Sequence, residues 1–358
     1  PRRRSFANDA AALSVTAILA AVLAYGLLLV IVNGLGDDDA APVVLIWSYW
    51  ALATTALGAP VQQWILRNGV VGVEVRAERA VLARLSALIV LIAVLATMVS
   101  SLLDERLFGS SSWVFPFCIG ATTLGAWTLG IARGRLAAAG RYYTLAASLP
   151  GENLIRLVAA LVLVAGGADA RGLALVVPGG YVIVFLLRAG ARRTREEDSA
   201  LARGGMLGSL TAIALISQTM FTSVPFVIAL GDAPASTVTA TFAVLAVARL
   251  PHLIASAMSS RVLDSLTRIA IDTPRQLWTT RRLVLLAVPP IAVASGLFGA
   301  TVGREVVRWV FGLDEAVSRP SAAWVTIGAV VAVGVLLLAM SGVAVGRPGP
   351  VIVLSLIH

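Results

Sequence analysis

Apolar runs of about 20 residues, recurring along almost the whole chain, limit this sequence more than any other feature. A helix needs about 20 such residues to cross the roughly 30 Å hydrocarbon core of a bilayer. On that ruler, spans fall near 11–33, 43–66, 81–103, 113–132, 144–166, 171–189, 206–230, 236–258, 283–303 and 323–345. An eleventh begins near 350 and meets the last residue, His358, inside the run. The intact protein is therefore expected to have about twelve spans, on the same ruler. The runs are long, lack strand-like alternation and are not divided by hairpin turns, so helices are favoured over a membrane barrel. Composition agrees. Hydrophobic residues make up 58% of the 358 and charged residues only 13%, with a mean hydropathy of +0.90. A soluble domain carries about 25% charge. The expected fold class is an all-α polytopic membrane protein.

The same residues exclude several functions. The lone cysteine, Cys118, rules out an internal disulfide and a Cys-based metal site. His252 and His358 alone do not make a conventional zinc site, and the expectation is no metal and no cofactor. No G-x-x-x-x-G-K-[ST] loop is present, which argues against direct ATP hydrolysis. The first apolar run is too long for a cleavable signal and lacks an A-x-A-like exit. The formal charge is +9, but the basic residues sit in short loops between spans, so nucleic acid is not an expected partner.

Those basic residues set the topology. All 28 are arginine, and twenty-one fall in one alternating set of loops, from Arg2–Arg4 through Arg67–Arg84, Arg133–Arg141, Arg188–Arg203 and Arg261–Arg282 to Arg347. The other set holds five: Arg106, Arg171, Arg304, Arg308 and Arg319. This bias predicts a cytoplasmic amino terminus. The stretch RAGARRTREEDSALARGG at 188–205 follows the sixth span and divides the chain into an N-terminal lobe (1–190), a linker (191–205) and a C-terminal lobe (206–358). The lobes echo each other: Arg106-Leu-Phe108-Gly109 follows the third span and Arg308-Trp-Val-Phe311-Gly312 the ninth. Two similarly oriented halves imply a pseudo-two-fold axis along the membrane normal and a central site between two six-helix lobes.

The segment GIARGRLAAAGRYYTLAASLPGENLIRLVAALVLV, at 130–164, resembles the fourth-to-fifth-helix region of the polysaccharide-exporter branch of the multidrug/oligosaccharidyl-lipid/polysaccharide (MOP) flippases. The matching features are Arg133-Gly134, Arg141-Tyr142, Glu152 and Arg156; VVRWVFG at 306–312 resembles the end of that family's ninth helix. Ala138-Ala139 stand where the family usually has a Gln in the loop. The resemblance implies two lobes around a cavity that opens alternately to each side of the bacterial cytoplasmic membrane. It implies a polyprenyl-pyrophosphate-linked glycan as cargo, and partners that include membrane lipids and a glycan polymerase or glycosyltransferase. A coupling cation, Na+ or H+, is one of several driving forces it leaves open.

The candidate site residues are Arg249, Arg156, Glu152, His252, Gln218, Thr222 and Gln62. Glu152 and Arg156 are spaced i,i+4 and can pair on one helix face. Two readings stand: an internal salt bridge fixing the fifth helix, or a cavity lining in which Arg156 meets a phosphate and Glu152 releases it. Arg249 and His252 are i,i+3 around Pro251, which favours a kink. Arg249 either binds a phosphate, which the guanidinium fork matches, or pairs with a helix end; His252 either packs neutrally or carries a proton. Thr211, Gln218 and Thr222 share a face of the seventh span, and Gln62 and Gln63 occupy an end of the second. Such polar stripes line hydrated cavities or join helices. The loop 259–282, with Trp278, is expected to be an amphipathic helix on the inner leaflet.

The leading expectation is a flippase for a lipid-linked saccharide, with Arg156 and Arg249 facing one shared cationic cavity. The alternative is an ion-coupled exporter of the multidrug type; a cationic drug calls for cavity acids, and the spans offer little beyond Glu152. A membrane glycosyltransferase would need catalytic acids on an outer loop, where only Asp37-Asp38-Asp39 stands. A non-transporting scaffold of the same fold would lack the hydrated cavity.

Overall fold

The computed structural model describes residues 2–71, 75–187, 250–303 and 319–345, with 207, 211, 214, 215, 226, 227, 229–231 and 245 between them. Every element in these segments is helical, and no strand occurs among the described residues. Helix α1 covers Arg2–Leu35, and α2, Asp37–Ala53, continues through a π turn, Thr54–Gly58, into α3, Ala59–Val71. Then come α4 (Val75–Leu102), a short α5 (Asp104–Phe108), α6 (Val114–Ala138) and α7 (Tyr142–Ala165). The next stretch is broken into α8 (Ala170–Ala174), α9 (Val176–Gly179), a 3₁₀ turn (Gly180–Val182) and α10 (Ile183–Leu186). Three further helices are α11 (Leu250–Asp272), α12 (Pro274–Phe298), ending in a π turn at Gly299–Gly303, and α13 (Arg319–Val345).

Seven stretches among the described residues are long and apolar enough to cross a membrane. They coincide with the expected first to fifth, ninth and tenth spans. The sixth is the broken stretch Ala170–Leu186. Most of the seventh and eighth spans, the linker 191–205 and the run from 350 lie outside the described residues. Of the paired Phe-Gly signatures, the first closes α5, where Gly109 (φ 64°) caps the helix; the second lies outside the described residues.

One expectation fails at the α11–α12 junction. Residues 259–282 are not a separate helix lying on the membrane. They form the end of α11 and the start of α12, joined by a tight turn at Thr273. The face carrying Ser260, Leu263, Leu266 and Thr267 is buried against the other helices. A bilayer-length ruler ends a span where the hydrocarbon ends, but a helix continues as long as its neighbours pack against it.

Two local devices set the placement of α6 against its neighbours. Gly140 (φ 70°) ends α6: its N–H donates to the Ala137 carbonyl and the Arg141 N–H to the Leu136 carbonyl. This six-to-one closure turns α7 back antiparallel to α6. Higher up, α6 and the π turn leading into α3 approach backbone to backbone. A Cβ on Gly58 would stand 2.9 Å from the Ala126 carbonyl, and one on Gly130 would strike the Gly58 backbone. Small residues permit such close packing, the main source of helix association in lipid.

The N-terminal bundle, α1–α10, has α1 lying along α7 and α6 wedged between α3 and α4. In the C-terminal bundle, α11 and α12 both pack on α13. The outer face of α4 presents Leu88, Val90, Leu91 and Leu95 about half exposed, as a lipid-facing helix requires. The bundles meet at the arginine-rich end, where α11 contacts α1 and α3. There Trp64 and Leu136 join Leu263, Met340 and Val343 in one buried cluster. Polar ties cross the same seam. Gln62 donates to Ser260 Oγ (2.5 Å), Arg67 Nε to the Val343 carbonyl (2.9 Å), and Arg261 reaches Asp9 at 3.4 Å.

Candidate functional site

The site is built mainly by α6 and α7. Glu152, Asn153 and Arg156 share one face of α7 through their i,i+3 and i,i+4 spacing. Arg133 projects from α6 between Gly130 and Gly134, the positions that let α6 sit close to α3. The antiparallel turn then brings Arg133 opposite Ser148 and Glu152.

Glu152 is held from two sides. Its Oε2 pairs with Arg133 Nη2 at 2.9 Å and its Oε1 with Arg156 Nη2 at 2.6 Å. Trp50 Nε1 also donates to Oε1, at 3.2 Å. Arg133 gives its Nε–H to Ser148 Oγ and a second Nη2 hydrogen bond to the Ser148 carbonyl, both 2.9 Å. Arg156 donates from Nε to the Val177 carbonyl (2.7 Å) and from Nη1 to Asn153 Oδ1 (3.2 Å). Its guanidinium lies 4.6 Å from the centre of Trp50 and 5.3 Å from that of Tyr181, cation–π range. Gly180 packs directly on that guanidinium, and a Cβ there would collide with Arg156 Nε. The broken stretch 170–186 therefore has a local role: it supplies a bare backbone and a carbonyl to an arginine at membrane depth. Two cations and one anion leave the cluster with one net positive charge.

Beside the cluster lies a cavity of about 210 Å³. It is far larger than the ~10–15 Å³ that one water needs, so it accommodates part of an organic molecule. Small residues of α1, among them Ala17, Ala20 and Ala21, form one wall; Tyr25, Trp47 and Trp50 form an aromatic side. Gln62, Arg133 and Glu152 supply polar edges, and Ser256 of α11 closes it from the other bundle.

The structure sorts the sequence-derived candidates. Glu152 and Gln62 line the cavity. Arg156 does not: it is 0% exposed, every nitrogen of its guanidinium faces a protein group, and it is sealed behind Trp50 and Tyr181. Of the two readings of the pair, the structure shows the salt bridge, with Arg156 turned away from the cavity; Arg249, expected to share a cavity with it, lies outside the described residues. His252 lies in α11, but its side chain, like Arg249, Gln218 and Thr222, is outside the described residues. Sequence reasoning missed Arg133, counted there as a loop arginine. It is 6% exposed and inside α6. The signal that finds it is its flanking Gly130 and Gly134, a small-residue face running past the nominal end of the span.

The architecture is similar to the fold of solved MATE transporters. An outward-facing multidrug resistance MATE family transporter of the MOP superfamily matches with a TM-score of 0.61 at 13% identity, covering 97% of this chain and 84% of the other. A MOP superfamily transporter from Pyrococcus furiosus, described as having a binding pocket of reverse polarity that suggests a different function, matches at 0.61 and 14% over the same shares. The Vibrio cholerae MATE transporter VcmN, in a single-substitution variant, matches at 0.59 and 16%, covering 99% and 88%. No protein-family model and no curated protein matches the sequence.

Proposed function

We propose that this chain is a membrane transporter that moves amphipathic molecules carrying an anionic group, by rocking its two helical bundles about the cavity. The observation that carries this is the charge of the cluster: the one acid among the described residues lining the cavity is already paired with two guanidiniums, so the site offers a surplus cation beside aromatic and small apolar walls. A polyprenyl-phosphate-linked saccharide is one cargo of this chemistry, and a cell-envelope role in a bacterial inner membrane fits it. The arginine-rich end would then face the cytoplasm.

The likeness to MATE transporters favours a second reading, an ion-coupled exporter of small molecules. The two separate in proteoliposomes. Reconstituted protein should move a fluorescent polyprenyl-pyrophosphate saccharide between leaflets and leave a cationic dye such as ethidium where it is. Ethidium efflux driven by a proton or sodium gradient, with no lipid movement, selects the exporter. Movement of neither substrate rejects both.

A further inference from the structure

We propose that Arg133 is the residue that binds the cargo's anionic oxygen, through Nη1, and that Ser148 is the positioning residue that aims it. This rests on the transporter reading for its biological meaning, but not for its chemistry.

An arginine has five N–H donors in a fixed fork. Arg133 spends three within the protein: Nε–H on Ser148 Oγ, and the two Nη2 hydrogens on the Ser148 carbonyl and Glu152 Oε2. Nη1 finds no acceptor among the described residues, and it is not among the sealed polar atoms that lack partners. Arg133 lines the cavity while its side chain stays 7% exposed. Arg133 therefore borders a mostly apolar cavity and keeps the two hydrogens of Nη1 unused among the described residues. Arg156, by contrast, is enclosed on all its nitrogens and on its aromatic faces.

The arrangement defines a ligand class. One available nitrogen and one net positive charge match a single anionic oxygen group, a carboxylate or a phosphate ester. Trp47, Trp50 and Tyr25 match a hydrophobic body next to it. Glu152 does not compete for this role or carry protons in it, because both its oxygens face cations.

The test is binding to the full chain in nanodiscs, followed by tryptophan fluorescence, with decyl phosphate, decanol and inorganic phosphate as probes. The wild type should bind decyl phosphate about ten-fold more tightly than decanol, the worth of one charge-assisted hydrogen bond. Arg133→Gln should abolish that preference and leave decanol binding unchanged, and Arg133→Lys should restore part of it. Ser148→Ala should reduce the preference while decanol still binds, and Ser148→Thr should recover it. Inorganic phosphate binding as well as decyl phosphate points to a free phosphate ligand; binding of the chain-bearing probe alone points to a lipid or other amphiphile. Either pattern supports the contact. An undiminished preference in folded Arg133→Gln overturns it; if that variant does not fold, an undiminished preference in Ser148→Ala does so. Failure of leaflet transport with the phosphate preference intact would reject the transporter reading and leave this site standing.

Discussion

Two ionic clusters serve this chain in opposite ways. Arg133, Glu152 and Arg156 lie within one bundle, on α6 and α7, at 2.6–2.9 Å and almost wholly buried. Arg261, Asp264, Arg268 and Asp9 lie at the seam between bundles. Here Asp264 holds Arg261 at 2.8 Å and Arg268 at 3.0 Å inside α11, while the only ion pair across the seam among the described residues is the 3.4 Å approach of Arg261 to Asp9 of α1. The first cluster uses its charges to fix two helices permanently. The second keeps its short pairs on one helix and leaves a longer, weaker one to the partner bundle. Breaking the seam takes Asp9 and the ring of Tyr142, 5.0 Å away on α7, from Arg261, but leaves Arg261 its shorter pair with Asp264. That difference separates a permanent joint from a reversible one.

The sharpest way to break the comparison is Glu152→Ala. It strands two buried guanidiniums and should cost about 3–5 kcal/mol, the range for removing one partner of a buried pair, read as a large fall in detergent melting temperature. Gly180→Val comes next. Its side chain must displace the Arg156 guanidinium, so a loss of about 1–3 kcal/mol is expected from overpacking, with Trp50 fluorescence altered. Asp9→Asn should cost only on the order of 1 kcal/mol. Its effect should appear at the seam: a cysteine placed at Ser256 should react faster with an impermeant maleimide added from the arginine-rich side, while the buried Cys118 stays silent. Unchanged labelling would show that Asp9 is not a tie between the bundles. Arg268→Ala should be the smallest, within about 0.5 kcal/mol, because Arg268 is 64% exposed and its pairing is screened by solvent.

Much of this was legible in the sequence, and the parts that were not share one cause. The apolar runs located the spans, and the i,i+4 spacing of Glu152 and Arg156 announced their ion pair. Counting residues against the bilayer, however, ended several helices at the hydrocarbon boundary, short of where they stop. That placed Arg133 in a loop and 259–282 on the membrane surface, whereas α6 and α11 run on because other helices cover them. Which of the two readings of Arg156 applies was hidden for a different reason. A buried arginine binds a ligand or is sealed by protein according to what stands around it, and Trp50, Val177 and Tyr181 come from segments far away in sequence. Spacing within one helix carries no information about them.

The hairpin of α6 and α7 also bears on how the chain is made. Each charged residue entering a bilayer alone costs about 2.5–3.5 kcal/mol on the insertion scale, and α7 carries two. Glu152, however, has its first counter-charge on the preceding helix, only a short turn away. If the two segments leave the ribosome-bound insertion channel together, Arg133 and Glu152 cancel before lipid surrounds them, and only Arg156 awaits the aromatic residues of α2. The order of helices along the chain thus doubles as an order of assembly, in which the helix carrying Glu152 is synthesised directly after the one that supplies its counter-charge.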